Sequence, residues 1–425
     1  MSTEAKRNSQ ISLDSDIYSP SEEKELAKII QHCSKKKLPL EIIGTGSKKF
    51  VGYNLQTAKT INYLNFKGVI EYLPEELYIK VKPGTLVSDI ENVLSKNNQE
   101  LSFEPLDFGY IKDGKPNKGT IGGQVSCNFA GSRRFKVGSI RDQILGFRGV
   151  NGSGDIIKSG GTVVKNVTGY DLSKLITGSF GTLVALSEIT LKVAPKKNSQ
   201  STKIIYSENL KDISKLFDKI LSSSNEISGS VFIPEEPKNL KYDQLKEKVF
   251  KFNDLNYTGS YLAFRLEGDK KSIDERLKDL NDELELKKFK TSILDVYQSS
   301  LFWKKVNNLE IFTNTKNNLI RVVIPTAKNH ELMSYLSKKF KYFVDWSGSL
   351  FWVEILDNEN SKIKDLKKLV TSLGGYLTII KKSENFDFEE SLFTINELKL
   401  NISKKIKESF DKQAILNPGK MYREI

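Results

Sequence analysis

The sequence predicts an α+β protein of two domains, the first interrupted by the second. Three observations carry this expectation. The chain has 425 residues, room for two or three domains at roughly 150 residues each. Of its 28 glycines, 16 fall between Gly109 and Gly181, and after Pro195 the texture changes to lysine-rich helices alternating with short strands. Near residue 380 it shifts again, and a helix expected over Ile395 to Phe410 leads to Leu416-Asn417-Pro418-Gly419-Lys420. The expected segments are therefore 1–195, 196–380 and 381–425.

The elements follow in order. Residues 1–18 are polar and read as a frayed end. Ser19 as cap, Pro20 at the first helical position and Glu22 completing a capping box start a helix. Leu26, Ile29, Ile30 and Cys33 recur along it at helical spacing, and the lysines at 35–37 sit where the helix dipole favours cations. A short strand, Leu40 to Ile43, runs into Gly44. Strands are expected around Gly68 to Tyr72 and Tyr78 to Lys82, then a Pro83-Gly84 turn and a helix from Leu86 to Leu94. Asn151-Gly152-Ser153-Gly154-Asp155 is a hairpin turn, and Leu183 to Val193 reads as a strand.

Composition narrows the function. Apolar residues are 38% and charged residues 28%, compatible with a packed core. The net charge of +13 could attract nucleic acid, but it is spread as scattered lysines, with no basic-aromatic strip or recognised module. A nucleic-acid partner is therefore not expected. Two cysteines, Cys33 and Cys127, cannot ligate an iron–sulfur cluster or build a disulfide scaffold, and His32 and His330 lack metal-ligand spacing. No metal is expected. With no apolar run of 18 residues and no apolar stretch in MSTEAKRNSQ, a soluble cytoplasmic protein is expected.

The chemistry should lie in the glycine-rich turns. Gly44-Thr45-Gly46-Ser47-Lys48 follows a strand directly, and successive N–H groups in such a turn can cradle a phosphate. It is neither a Walker loop nor a full Gly-x-Gly-x-x-Gly pattern. Gly119-Thr120-Ile121-Gly122-Gly123 repeats the idea about 75 residues on, and Asn128 and Gly138-Ser139-Ile140-Arg141-Asp142 follow. Two such loops suggest a diphosphate gripped from two sides. A later run, Lys165 with Gly169-Tyr170-Asp171 and then Gly178 with Gly181-Thr182, could line a planar heterocycle, with Lys165 as a fixed cation. Each glycine turn alone is more often an ordinary turn; the ordered series is the signal.

That series resembles the FAD-binding domain of the vanillyl-alcohol-oxidase type, also called the PCMH type, and within it the E subunits of bacterial glycolate oxidase (glycolate dehydrogenase). The resembling pieces include Gly46-Ser47-Lys48, Phe103-Glu104-Pro105, Thr120-Ile121-Gly122-Gly123, Ser132-Arg133-Arg134, Arg141-Asp142, Val163-Val164-Lys165-Asn166-Val167, Gly169-Tyr170-Asp171-Leu172 and Gly181-Thr182-Leu183. Asp345-Trp346, Gly374-Gly375 and the terminal Asn417-Pro418-Gly419-Lys420 extend it. Ser132 stands where the family often has Pro and Tyr376 where it often has His, and Ile111 to Asn117 looks like an insertion.

The resemblance implies a two-lobed PCMH-type FAD-binding domain with an inserted α+β cap domain. It implies noncovalent FAD, with the diphosphate on loops 44–48 and 119–123 and Lys420 returning to the coenzyme. Related catalytic subunits use a histidine cluster that His32 and His330 cannot build. The expected role is therefore structural or electron-relaying. A catalytic flavin subunit would oxidise glycolate to glyoxylate, and an iron–sulfur subunit would pass electrons to a quinone, with peripheral contact to the inner membrane through those partners. The alternative is a self-standing FAD-dependent 2-hydroxy acid dehydrogenase with Tyr and Arg in place of His; Arg265, Arg276 and Arg321 could bind a carboxylate, although such arginines are more often surface or paired residues.

Overall fold

The structure, a computed structural model, describes residues 13–162, 169–235, 259–337, 339–387 and 390–425. Residues 1–12 and Lys165 lie outside the described residues. The first helix, α1 (Glu23–Lys36), buries the Leu26, Ile29, Ile30 and Cys33 stripe that its spacing predicts. It begins later than expected. Glu22, not Ser19, is the N-cap, and the Glu25 carboxylate accepts from the backbone N–H (2.8 Å) and hydroxyl (3.1 Å) of Ser21. The Ser/Glu pairing exists but is displaced along the chain.

Behind α1 lies a small parallel sheet, in the order β1 (Ile17–Tyr18), β3 (Lys59–Asn62), β2 (Leu40–Ile43). The strand β3 has no apolar alternation and was not expected from sequence. A second sheet is antiparallel. Its order is β4 (Val69–Leu73), β5 (Tyr78–Val81), β9 (Ala185–Lys192), β7 (Ile144–Val150), β8 (Ile156–Gly160). β7 and β8 are joined at the predicted hairpin, where the Asn151 side-chain oxygen accepts from the N–H groups of Ser153 and Asp155. A two-stranded pair, β6 (Gln99–Glu100) with β10 (Ala194–Pro195), closes this part of the chain.

Among the described residues, strands drawn from between 199 and 381 form one eight-stranded antiparallel sheet. Its order is β14 (Lys290–Leu294), β11 (Ser199–Tyr206), β13 (Tyr261–Gly268), β12 (Gly229–Ile233), β16 (Lys341–Asp345), β17 (Leu350–Ile355), β15 (Asn318–Val323), β18 (Tyr376–Lys381). Its central strands β13, β12, β16 and β17 are buried nearly throughout, because lysine-bearing amphipathic helices cover the sheet. The Trp303 and Trp352 rings are fully buried in its core.

The C-terminal helix Glu397–Phe410 starts at Asn396, whose side-chain oxygen accepts from the Lys399 N–H. It carries the chain back to the first part. The buried Lys407 ammonium donates to Asp411 (2.8 Å), the Thr182 carbonyl (2.7 Å) and the Leu416 carbonyl (2.9 Å). Asn417 completes the return: its side chain accepts from Ile42 N–H and donates to the Phe180 carbonyl, both at 2.8 Å.

The lobes meet across a charged seam. Arg265, 2% exposed, donates to Glu104 (2.8 Å) and to Ser228. Arg133 bridges Glu100 and Glu267. Ser132, buried, donates its hydroxyl to Asp345 at 2.8 Å. Burial pushes the Asp345 carboxyl up to about 7.

Candidate functional site

The end of β2 runs into the turn 44–48, and this turn forms one wall of a cleft of about 820 Å³, its open mouth included. The opposite wall is a helix, α2 (Ile121–Cys127), and the floor is the segment 180–186 with Asn417 and Lys420. The walls touch. A Cβ on Gly44 would lie 2.5 Å from the Thr120 hydroxyl oxygen, and one on Gly119 would lie 2.3 Å from that of Ser47. Only glycine permits this approach.

The two glycine loops behave differently. In the first, the backbone N–H groups of Thr45, Gly46, Ser47 and Lys48 donate to no acceptor among the described residues. They are the donors a phosphate needs. In the second, Ile121 N–H already donates to the Thr85 carbonyl (2.9 Å) and Gly122 N–H to that of Pro83 (2.9 Å). The Gly123 N–H is capped by the Thr120 hydroxyl at 3.3 Å. This stretch is a helix start rather than a loop, and its contribution to the cleft is room. The grip from two sides expected of these amides is thus mainly one-sided.

Charge is held beneath the first turn. The Lys48 ammonium is buried, donating to the Ser47 hydroxyl (3.3 Å) and the Lys118 carbonyl (3.1 Å). Burial lowers it to about 8. Lys420 donates to the Lys49 and Tyr53 carbonyls (2.8 and 3.2 Å), and burial likewise holds it at about 8. Burial pushes the neighbouring Cys127 thiol up. A buried hydroxyl, Tyr63 Oη, lines the same cleft without a hydrogen-bond partner among the described residues. Free amides, two cations and an orphaned hydroxyl suit a large polar anion with an apolar body.

The sequence-predicted residues divide accordingly. Gly44, Thr45, Gly46, Ser47, Lys48, Thr120, Gly122, Gly123, Gly181 and Lys420 line the cleft. Ile121 does not; its side chain is fully buried in the core beside Val125. Asn128 ends α2 in a left-handed conformation (φ 53°) and accepts from the Arg141 N–H. Ser139 and Asp142 are spent on a reciprocal capping box after Gly138, and Arg141 Nε donates to the Lys174 carbonyl. Asp171 caps a short helix and pairs with Lys174. Tyr170, next to Gly169, is 92% exposed. Gly178 packs against Asn128, and the Thr182 hydroxyl donates to the Ser179 carbonyl. Lys165 falls outside the described residues. Tyr63, Phe180 and Asn417 line the cleft without having been singled out; Asn417 was visible only as part of the terminal Asn-Pro-Gly-Lys.

Comparison with known proteins agrees with this geometry. The profile of the FAD binding domain matches residues 16–160. The chain is 28% identical over 392 residues to glycolate oxidase subunit GlcE of Escherichia coli K12, covering 92% of this chain and 94% of that protein. It is 30% identical over 200 residues to glycolate oxidase subunit GlcD of Bacillus subtilis, covering 47% and 41%. Against a D-lactate dehydrogenase of Anaerostipes hadrus it is 24% identical, covering 93% and 87%. In fold it is similar to p-cresol methylhydroxylase with substrate bound (TM-score 0.68, 14% identity, 95% and 88% covered). It is also similar to 4-ethylphenol oxidase from Gulosibacter chungangensis (TM-score 0.69, 14% identity, 97% and 91% covered). No described helix is long and apolar enough to cross a membrane. The residues that shape the cleft thus lie largely in an FAD-binding domain, and the chain as a whole has the PCMH-type fold of p-cresol methylhydroxylase and 4-ethylphenol oxidase.

Proposed function

We propose that this chain is the FAD-binding, structural or electron-relaying subunit of a multi-subunit glycolate dehydrogenase, in which a companion flavin subunit oxidises glycolate to glyoxylate. One observation carries the reading: the likeness to an E subunit runs end to end, while the likeness to a D subunit stops at 41% of that protein. An iron–sulfur partner, a quinone acceptor and contact with a membrane face are part of the same proposal. So is the division into 1–195, 196–380 and 381–425, supported by a single sheet that draws all its strands from 199–381.

Noncovalent FAD fits the cleft. The amides of 45–48 and the ammonium groups of Lys48 and Lys420 would hold the diphosphate, and Tyr63 Oη would gain its missing partner. FAD supplies the two-electron sink for a carbinol carbon, and the protein supplies placement. Removing the hydroxyl proton needs a base at the reacting carbon. Neither histidine is placed to act as that base. His32 is on α1 and His330 on the helix Asn329–Leu336, and neither lines the cleft.

The test is the subunit purified alone. It should carry flavin that acid precipitation releases, and anaerobic glycolate should leave that flavin oxidised. The assembled complex should bleach. Bleaching by the lone subunit at a rate matching turnover would favour a self-standing 2-hydroxy acid dehydrogenase, the reading that near full-length likeness to a D-lactate dehydrogenase supports.

A further inference from the structure

A second groove, of about 1960 Å³ with its open mouth included, lies at the seam and shares no lining residue with the flavin cleft. Its acids are committed: Glu91 to Lys118, Glu100 and Glu267 to Arg133, Glu104 to Arg265. Three of its lysines are not. Among the described residues, the exposed Lys196, Lys197 and Lys304 side chains make no ion pair or hydrogen bond. Lys136, and more weakly Lys197, lowers the nearby Glu226 carboxyl, but the ion pair is with Lys136.

The large sheet is also unfinished at this groove. β11 pairs with β13 along all of Ser199–Tyr206, but with β14 only from Thr202 onwards. After Leu294 the chain leaves the sheet for the helix Val296–Asn307. On that edge Ser199, Gln200 and Ser201 therefore have no strand beside them among the described residues, and Ser199 and Gln200 line the groove. An open edge offers backbone N–H and C=O groups to another chain. Lysines beside such an edge deter pairing with a second copy, which would bring the same charges, and favour a strand that carries carboxylates. Beyond the edge, Tyr297 is 75% and Val296 49% exposed, an aromatic and an aliphatic surface at the same groove.

We propose that this groove docks an extended, acidic segment of a partner protein, which adds a short strand at Ser199–Ser201. Carboxylates of the segment pair with Lys196, Lys197 and Lys304, and its alternate apolar side chains pack on Val296 and Tyr297. That the segment belongs to a companion subunit of the dehydrogenase rests on the proposed function; the chemistry of the groove does not.

Two measurements test this. In the first, the purified subunit is titrated with a fluorescein-tagged peptide of alternating Glu and Val, followed by anisotropy. Saturable one-to-one binding is expected. The triple variant Lys196→Glu/Lys197→Glu/Lys304→Glu should weaken it roughly tenfold, and Tyr297→Ala several-fold, with the flavin-to-protein ratio unchanged. Should the triple variant fail to fold, Lys304→Gln alone carries the test, with several-fold weakening expected. Methylating one alternate set of the peptide's backbone nitrogens should abolish binding, because an added strand needs those N–H groups. In the second, carbodiimide treatment of the assembled complex, which joins amines directly to carboxylates, should link these lysines to Asp or Glu of a companion subunit. Equal peptide affinity in the variants would overturn the proposal. So would equal competition by duplex DNA or by phosphatidylglycerol vesicles, or a self-association of the subunit that the triple variant abolishes. Peptide binding as expected, with no cross-link to any companion, would instead leave the groove standing and sink the companion-subunit reading alone.

Discussion

The cleft and the seam solve opposite electrostatic problems. In the seam, Glu100, Glu104 and Glu267 face Arg133 and Arg265, so every charge has a partner within the protein. Burial alone would raise Glu267, but Arg265 and Arg133 outweigh it and hold the carboxyl at about 2. In the cleft, two lysines are lowered to about 8 and four successive amides point at no acceptor among the described residues. A finished set of charges holds lobes together, and an unfinished one awaits a ligand.

The sharpest break of this contrast uses two adjacent glycines. A Cβ on Gly122 would meet the Pro83 carbonyl oxygen at 2.9 Å, whereas one on Gly123 would meet only the Thr120 hydroxyl, at 3.5 Å. Gly123→Asp should therefore abolish flavin retention by placing a carboxylate at the cleft wall, with its thermal midpoint shifted by no more than about 4 °C. Gly122→Asp should lose flavin and stability together, because backbone must move. Visible flavin absorbance and thermal unfolding, run on both, separate the two effects. Full yellow colour in Gly123→Asp would remove the assigned wall.

Next in size is the seam. Arg265→Met keeps an apolar stem but removes the guanidinium over Trp303, and it leaves Glu104 and Glu267 to share Arg133 alone. Removing one partner of a buried charge pair costs about 3–5 kcal/mol. Urea unfolding should show a loss of that order, while FAD affinity at low urea stays unchanged, since none of these seam residues lines the cleft. Equal losses of affinity and stability would mean that cleft and seam are one energetic unit.

What the sequence disclosed and what it hid follow the same division. Local patterns were legible: the Leu26, Ile29, Ile30, Cys33 stripe, the strand Leu40–Ile43, the Asn151 hairpin and the helix ending at Phe410 all depend on neighbours in the chain. The strand Lys59–Asn62 was not, because its only strongly apolar residue is Ile61 and its place is set by pairing with two parallel neighbours. Ile121–Cys127 reads as loop from its glycines, yet Ile121 and Val125 give it a core-facing side and Thr120 caps it. The amides of Ile121 and Gly122 were expected to be free; their acceptors, Thr85 and Pro83, lie more than thirty positions upstream. The Arg265–Glu104 pair spans 161 positions and leaves no local trace. Glycines thus marked where the cleft is, but not which of their N–H groups remain open.

The smallest effect tests the unfinished charge itself. Unfolded lysine titrates at 10.5, and burial holds Lys48 and Lys420 at about 8 in the folded protein. Depressing a lysine means that folding disfavours its charged form. That penalty is full below pH 8 and is relieved as pH rises from 8 towards 10.5. A bound diphosphate reverses the preference by stabilising both ammonium groups. Below pH 8 the free protein already carries both protons, so FAD affinity should be flat. Above it, binding must recover protons, and affinity should fall several-fold by about pH 9. Lys48→Met should weaken binding at pH 7, remove part of this slope and leave stability equal or higher. The Lys118 carbonyl that Lys48 served keeps the Gln124 side-chain donor at 2.7 Å. Flavin fluorescence titrations at three pH values decide the matter. An affinity that stays level to pH 9.5 (roughly one unit below the free lysine value) would mean that neither ammonium faces the phosphates.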